Sequence, residues 1–593
     1  MGSSEVKIFA IATLGLMRRY DEVVYKVYVP AGGRQSRKPY YIRTYFSPLA
    51  LILAHAIEHK ASSATLTVAA PITLYTEWES QIEKSQIDLE AVANSILKKE
   101  ILREETSKKE DTQKQYLIDE EVSSELQEAK EIYRITKLEF PDSAGGGRSS
   151  DKLPYIFTRK ATIQYIAEKS GEGSNKLSLD FYMALLPLTG SFQHDEEKVW
   201  KGKVWIFREK SEGDIEMFGR SLASSFTYAI RESLRRVEGK GGAIILVDTT
   251  HGLNIAAAHL MASVVQNYGL INYELERRGI ELLDIYFYNS DPYDPKRRDK
   301  LQLLSHYYQK VVGASIAEIA HRAPEVCQSE KGGGSPGGRE PSQEFCNLLK
   351  RVITMLRSNL LLWSLYDIET LNYTPDEIRI SEIRIGLKYK DKDKKKSEIS
   401  EINYDIEGAV DSGVVWLWEI LKEAAQRAIT ELKDKDVMSH IERTRRKKAV
   451  CFNVERLAKA VKESTDWHWN LLREIMGPTA ELILQHELEE WESSKNLKYL
   501  YPKGLGDCIK CDILPRESVG GITYRIAKPQ LEQEKARNIV AHAGITKVVE
   551  DMYFLFTEQQ NDCRLTVLCI AEKFPDNILQ AIIKRGQSSY DTS

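Results

Sequence analysis

Short apolar or β-branched runs alternate with helical periodicities along the first half of the chain. The runs fall at residues 7–13, 65–72, 179–186, 203–207, 243–248 and 282–288. Strands separated by helical stretches predict an α/β domain with a mostly parallel, Rossmann-like sheet. The run Ala243-Ile244-Ile245-Leu246-Val247 is apolar on both faces, as a central strand covered by helices requires. In an open sheet of that kind ligands belong beyond the carboxyl ends of the strands. In the second half the period changes to three and four residues over 344–365, 414–432, 454–476 and 479–493, which predicts a mainly α-helical region. Two stretches interrupt it. Residues 378–390, followed by Asp391-Lys392-Asp393-Lys394-Lys395-Lys396, predict a β-hairpin with a charged tip, and residues 518–527 carry the turn pair Gly520-Gly521.

Punctuation divides the chain. From about residue 82 to 150 it is highly charged and poor in aromatics, which reads as a solvated helical insertion ending in the flexible Ser143-Ala144-Gly145-Gly146-Gly147. A second glycine-rich run, Gly332-Gly333-Gly334-Ser335-Pro336-Gly337-Gly338, marks the main boundary or else a long surface loop. The expected organisation is an α/β domain over 1–330, a connector over 331–341 and a mainly helical region with small β insertions over 342–593.

Composition narrows the class. The chain has 593 residues, beyond the roughly 250–300 that one hydrophobic core supports. With 83 basic against 87 acidic residues the formal charge is −4, so any contact with nucleic acid must be local. Seven cysteines are sparse and odd in number, which favours a reducing cytoplasm over a disulfide framework. The apolar start at Val6 is only a strand long, and no apolar stretch approaches the roughly 20 residues of a membrane span.

Two motifs carry candidate chemistry. Asp248-Thr249-Thr250-His251-Gly252-Leu253-Asn254 lies between an apolar strand and a helical run. Such a turn offers backbone N–H groups and a positive helix end to an anion, and Gly252 permits close approach of the backbone. Thr250, His251 and Asn254 add donors and acceptors for a ribose or base edge. The same residues also make an ordinary helix cap with a satisfied histidine. Thr13 with Gly15, and Thr189 with Gly190, end two further strands in the same manner. No dinucleotide fingerprint or P-loop lysine occurs in these turns.

The second motif is Arg537-Asn538-Ile539-Val540-Ala541-His542 on a helix-favouring run. Asn538 and His542 fall one turn apart on one helical face, while Arg537 lies about 140° round from His542. A shared phosphate therefore calls for two copies of the helix related by a two-fold axis. That set suits RNA cleavage without metal, in which the 2′-hydroxyl attacks the adjacent phosphorus, imidazole handles protons and guanidinium stabilises the developing charge. An Arg and a His at this spacing are also common as surface or packing residues.

Taken together, Asp248-Thr249-Thr250-His251-Gly252 resembles the D-x-T-H-G motif of CRISPR-associated CARF proteins, and Arg537 with His542 resembles the R-x4-H motif of HEPN ribonucleases. In order and separation the chain resembles the CARF-HEPN ribonucleases of type III CRISPR systems. The resemblance implies a Rossmann-like CARF sensor and an α-helical HEPN nuclease. It implies a cyclic oligoadenylate activator, cyclic tetra-adenylate being the expected form, bound by Thr13, Gly15, Gly190, Thr250, His251, Gly252 and Asn254. It further implies degradation of single-stranded RNA by Arg537, Asn538 and His542 in a homodimer or higher homo-oligomer, with no cofactor or metal required for catalysis. Asp248 is either a ligand contact or a structural cap, and Ser290 and Asp291 are further pocket candidates. The alternatives are a non-catalytic nucleotide-sensing regulator that binds DNA or a protein through the basic helix near Arg445, and a pocket that itself cleaves the cyclic ligand.

The remaining features read blandly. Cys508 and Cys511 have metal-ligand spacing but lack a second pair, so a structural pair is favoured over zinc. The run from Arg443 to Lys448 fits a solvated helix slightly better than an RNA guide. Trp416 and Trp418 fit a core, and Trp467-His468-Trp469 fits a core or an interface.

Overall fold

The computed structural model describes residues 6–14, 22–30, 39–71, 89–98, 117–118, 120–141, 154–171, 173–186, 214–237, 239–250, 254–297, 300–327, 341–371, 382–389, 399–407, 411–493, 516–527, 551–559 and 562–582. Four of the expected strands form as anticipated: β1 (Val6–Thr13), β4 (Ser63–Pro71), β8 (Asn175–Leu186) and β9 (Gly241–Asp248). β10 (Ile280–Ser290) forms as well, and the run at 203–207 lies outside the described residues. Strands β10, β9, β1, β4 and β8 are mutually parallel in that spatial order.

The expected Rossmann-like open sheet does not result. Segments passed over as connections or insertion are also strands: β2 (Val23–Tyr28), β3 (Pro39–Thr44), β6 (Ile132–Glu139), β7 (Tyr155–Ala167) and β12 (Leu303–Lys310). They close the sheet into a ten-stranded barrel in the order β1-β4-β8-β7-β6-β3-β2-β12-β10-β9. The physical reason lies in the hairpin pairings. β7 pairs antiparallel with both β8 and β6, β2 with β3, and β12 with β10, and parallel pairing of β3 with β6 and of β2 with β12 joins these pieces, so the edges an open sheet would expose are consumed. A two-stranded ladder of β5 (Leu117–Ile118) and β11 (Lys300–Leu301) lies beside it.

A barrel of ten strands is too wide for strand side chains alone to fill. The helix Ser47–His59 lies within it: all residues from Ser47 to Ala56 are buried, and it packs against β1, β4 and β9 on one arc and β2 and β3 on the other. Its sequence, Leu49-Ala50-Leu51-Ile52-Leu53-Ala54, is apolar on every face, as a helix enclosed all round must be. Leu89, Val92 and Ile96 from the helix Leu89–Ile96 join the same core. The charged segment after residue 82 is thus not a solvated helical insertion throughout, since it supplies a buried helix face and barrel strand β6. Helices Asp214–Leu234 and Tyr268–Glu276 pack against β4 and β8 and against β10 respectively.

By internal contacts the chain divides into two units, Met1–Ala314 with Ile380–Gly413, and Ser315–Arg379 with Val414–Ser593. The first includes the expected hairpin, β13 (Glu382–Tyr389) paired antiparallel with β14 (Ile399–Glu407). The second holds helices Ile316–Val326, Pro341–Arg357, Leu361–Leu371, Lys435–Arg445, Val454–Glu463, Trp467–Met476 and Pro478–Ser493, and most of Ser412–Leu432. Two of the long helical periodicities are each broken in two, at Asn359 with φ 59° and across Ser464-Thr465-Asp466.

The strands of the second unit form one antiparallel sheet ordered β15-β19-β18-β17-β16: β15 (Val450–Asn453), β16 (Arg516–Val519), β17 (Ile522–Ala527), β18 (Met552–Gln559) and β19 (Asp562–Ile570). Gly520 and Gly521, at φ 58° and 82°, form the two-residue turn between β16 and β17, where positive φ at both positions suits the twist of the strands. Four of the seven cysteines are paired, Cys327 with Cys346 and Cys451 with Cys569. Sparse cysteines suggested free thiols; the second pair forms because Cys451 and Cys569 face each other across the β15–β19 ladder. Trp416 and Trp418 are buried as expected. Among the described residues no helix is long and apolar enough to cross a membrane.

Candidate functional site

Register brings several strand ends to one level. Asp248 is opposite Ala12 of β1 and Tyr288 of β10, and Thr13 is opposite Ala69 of β4. The carboxyl ends of four parallel strands therefore share one end of the barrel, where the chain leaves β9 for the helix Asn254–Gln266.

Asp248 is almost wholly buried and uses both carboxylate oxygens. Oδ1 accepts the backbone N–H of Thr250 at 2.8 Å and shapes the turn. Oδ2 accepts the hydroxyl of Ser47 at 2.5 Å, and Ser47 Oγ lies 2.7 Å from Nε2 of His306 on β12. A carboxylate only accepts, so the Ser47 proton points to Asp248 and His306 Nε2–H donates to Ser47 Oγ. Ser47 opens the interior helix, whose positive amino end favours the buried carboxylate. All three groups are enclosed, which makes Asp248 the structural anchor of the turn, the second of its two expected roles.

Thr249 is committed too, since both its N–H and its hydroxyl lie 3.0 Å from the carbonyl of Tyr288. Thr250 differs. Its hydroxyl is buried without a hydrogen-bond partner, which leaves it able to meet a ligand. Thr13 is buried at the end of β1. Asn254 is the first residue of its helix. Gly15, Gly190, His251 and Gly252 lie outside the described residues. Ser290 and Asp291 serve their own turn, Ser290 Oγ donating to the Asp291 carbonyl at 3.0 Å and Asp291 Oδ2 accepting from Ser305 N at 3.0 Å.

Beneath this turn is a second buried pair. His55 Nε2 lies 2.8 Å from the hydroxyl of Tyr288, which donates to the carbonyl of Tyr28 at 3.0 Å. Burial, helped by neighbouring His59, lowers the His55 pKa to about 3, so the imidazole is neutral in the folded chain. Sequence reading missed Ser47, His55 and His306. The only signal for them is the polar residue at the head of, or within, an otherwise apolar run; no spacing ties them to Asp248.

Arg537, Asn538 and His542 lie outside the described residues, as do Cys508 and Cys511. The strands that bracket the former three, β17 and β18, are neighbours in the sheet. The basic run is partly engaged internally: Arg445 pairs with Glu517 at 3.0 Å, and Lys447 with Asp551. Trp469 is buried and donates to Glu431 at 2.8 Å, while His468 Nε2 is 2.9 Å from the other oxygen of Glu431. Glu431, Asp466 and His468 thus bring one ligand atom each within 4.8 Å, but Glu431 is already occupied by its two neighbours.

No curated protein matches the chain. Residues 9–292 match the family model described as CRISPR system endoribonuclease Csx1, CARF domain. That span contains the carboxyl-terminal part of β1, all of β4, β8 and β9, and the Asp248 turn, and the chain is accordingly a CARF-containing, type III CRISPR-associated protein.

Proposed function

We propose that this protein is an endoribonuclease switched on by a cyclic oligoadenylate and acting on single-stranded RNA in type III CRISPR defence. The observation that carries the proposal is the Asp248 turn, placed at the shared strand ends of a region that matches a CARF domain. CARF domains bind cyclic oligoadenylates. The turn supplies an unpartnered Thr250 hydroxyl and the start of a helix, chemistry suited to ribose and phosphate. Thr13, Gly15, Gly190, His251, Gly252 and Asn254 are proposed to complete the pocket across a homodimer.

Cleavage is assigned to Arg537, Asn538 and His542, drawn from two copies of the chain. The 2′-hydroxyl oxygen attacks the adjacent phosphorus and the 5′-oxygen leaves, giving a cyclic phosphate and a free 5′-hydroxyl. His542 positions or transfers the protons, Asn538 orients the imidazole, and Arg537 stabilises the charge on the phosphoryl oxygens. Activation is a coupling in which ligand binding favours the arrangement that assembles the nuclease centre.

The test is RNA degradation measured with cyclic oligoadenylates of several ring sizes, EDTA being present throughout. Cleavage should appear with at least one ring. It should fall about 10²–10⁴-fold in Arg537→Ala or His542→Ala while activator binding persists. Full cleavage by His542→Ala refutes the nuclease assignment, and cleavage independent of every ring refutes the sensor.

A further inference from the structure

At the opposite end of the same strands, a cleft of about 580 Å³ opens on the outside of the barrel. Its walls come from the amino ends of β1 and β4, the facing parts of β7 and β8, and the segment that follows the helix Asp214–Leu234. Lys7 and Thr13 are six residues apart on β1, so the cleft lies about 20 Å from the Asp248 turn at the rise of a strand.

The lining is strongly basic. Lys7, Arg159, Lys160 and Arg236 stand against one carboxylate, Asp180, in a chain whose overall formal charge is −4. Lys160 pairs with Asp180 at 2.6 Å. The two arginines are held otherwise. The Arg236 guanidinium lies 5.7 Å from the ring centre of Tyr182, and that of Arg159 lies 5.0 Å from the ring centre of Phe157. Neither has a carboxylate partner among the described residues, and Arg159 Nε is buried without a hydrogen-bond partner. An aromatic face steadies a guanidinium without using its N–H donors, so the Arg236 fork keeps its capacity for a planar anion, whereas Arg159 shares the inward-facing side of β7 with Phe157. Serine and threonine hydroxyls of β4, β7 and β8 add neutral donors.

We propose that this cleft is a second ligand site, distinct from the Asp248 turn, that takes a small polyphosphorylated molecule of nucleotide size. Arg236 grips the phosphates through charge-assisted hydrogen bonds, and Lys7 and Lys160 add to the field. The volume falls within the roughly 300–1,000 Å³ of small-molecule sites.

Titration calorimetry of the full-length protein with ATP and with inorganic pyrophosphate tests this. Saturable binding of at least one is expected, weakened about tenfold or more in Arg236→Gln and unchanged in Thr250→Val. Arg236→Lys should bind better than Arg236→Gln, and a thermal melt of each variant separates loss of the site from loss of the fold. The proposal is overturned if neither probe binds, if binding survives Arg236→Gln, if only Thr250→Val abolishes it, or if single-stranded RNA binds while both small phosphates do not. Because these readouts involve neither RNA cleavage nor cyclic oligoadenylate, they stand apart from the test of the nuclease.

Discussion

Ser47 joins a carboxylate and an imidazole that are 201 and 259 residues away from it in the sequence. Removing its hydroxyl strands two buried polar groups, and such groups cost about 1–3 kcal/mol each when left unsatisfied. Ser47→Ala should therefore lower unfolding stability by at least about 1 kcal/mol in urea titration, and an unchanged midpoint would show that the bridge carries no weight. His55 gives a pH signature. Its pKa is 6.5 when unfolded and about 3 when folded, so between those values the unfolded chain binds the extra proton and stability falls as pH is lowered. The contribution is fully present above pH 6.5 and declines by up to about 1.4 kcal/mol per pH unit below it. His55→Gln should flatten the stability profile between pH 6.5 and 4 relative to wild type, whatever it does to stability at neutral pH; identical slopes would contradict the burial argument.

Elements were legible where one signal dominated. β9 is apolar on both faces and was unmistakable, and the Gly520-Gly521 turn was marked by its residues. β6 and β7 were not, because Arg134, Lys137, Arg159 and Lys160 interrupt them; several of these charges are balanced across strands, Arg134 with Glu22 at 2.9 Å and Lys160 with Asp180. Those partners are remote in sequence, so β6 reads as part of a solvated insertion and β7 does not stand out as a strand. The cysteine pairs were hidden for the same reason, since only the β15–β19 register sets Cys451 against Cys569. Cross-links closing separations of 19 and 118 residues are each worth roughly 2–4 kcal/mol. Thermal melts with and without dithiothreitol should differ by several degrees, and Cys451→Ser with Cys569→Ser should reproduce part of the loss. Coincident melts would mean that the pairs contribute nothing to stability.

At the scale of the whole molecule, the expected division at the 331–341 connector remains a proposal, and the contacts of the first unit bear on how it should be tried. That unit includes Ile380–Gly413, where Ser412 N donates to Ser224 Oγ at 2.9 Å and β14 packs on the helix Asp214–Leu234. A fragment of residues 1–330 lacks those partners and should melt below a version that also carries residues 380–413 joined by a short linker. Equal melting temperatures would show that the hairpin adds nothing to the barrel. The proposed nuclease and its proposed activator pocket were both recognised from short motifs.

The sequence by itself settled where the apolar strands run, where helical periodicity begins, and which turn carries the Asp-Thr-Thr-His-Gly residues, because all of these depend on neighbours a few positions apart. Tertiary structure alone decided that the sheet closes around an apolar helix, that Asp248 anchors its turn while Thr250 is left with an unpartnered hydroxyl, and that Lys7, Lys160 and Arg236 line one cleft at the far end of the barrel strands. These outcomes depend on strand register between distant segments, and a change of register re-aims every side chain on a strand without altering the local pattern that names it.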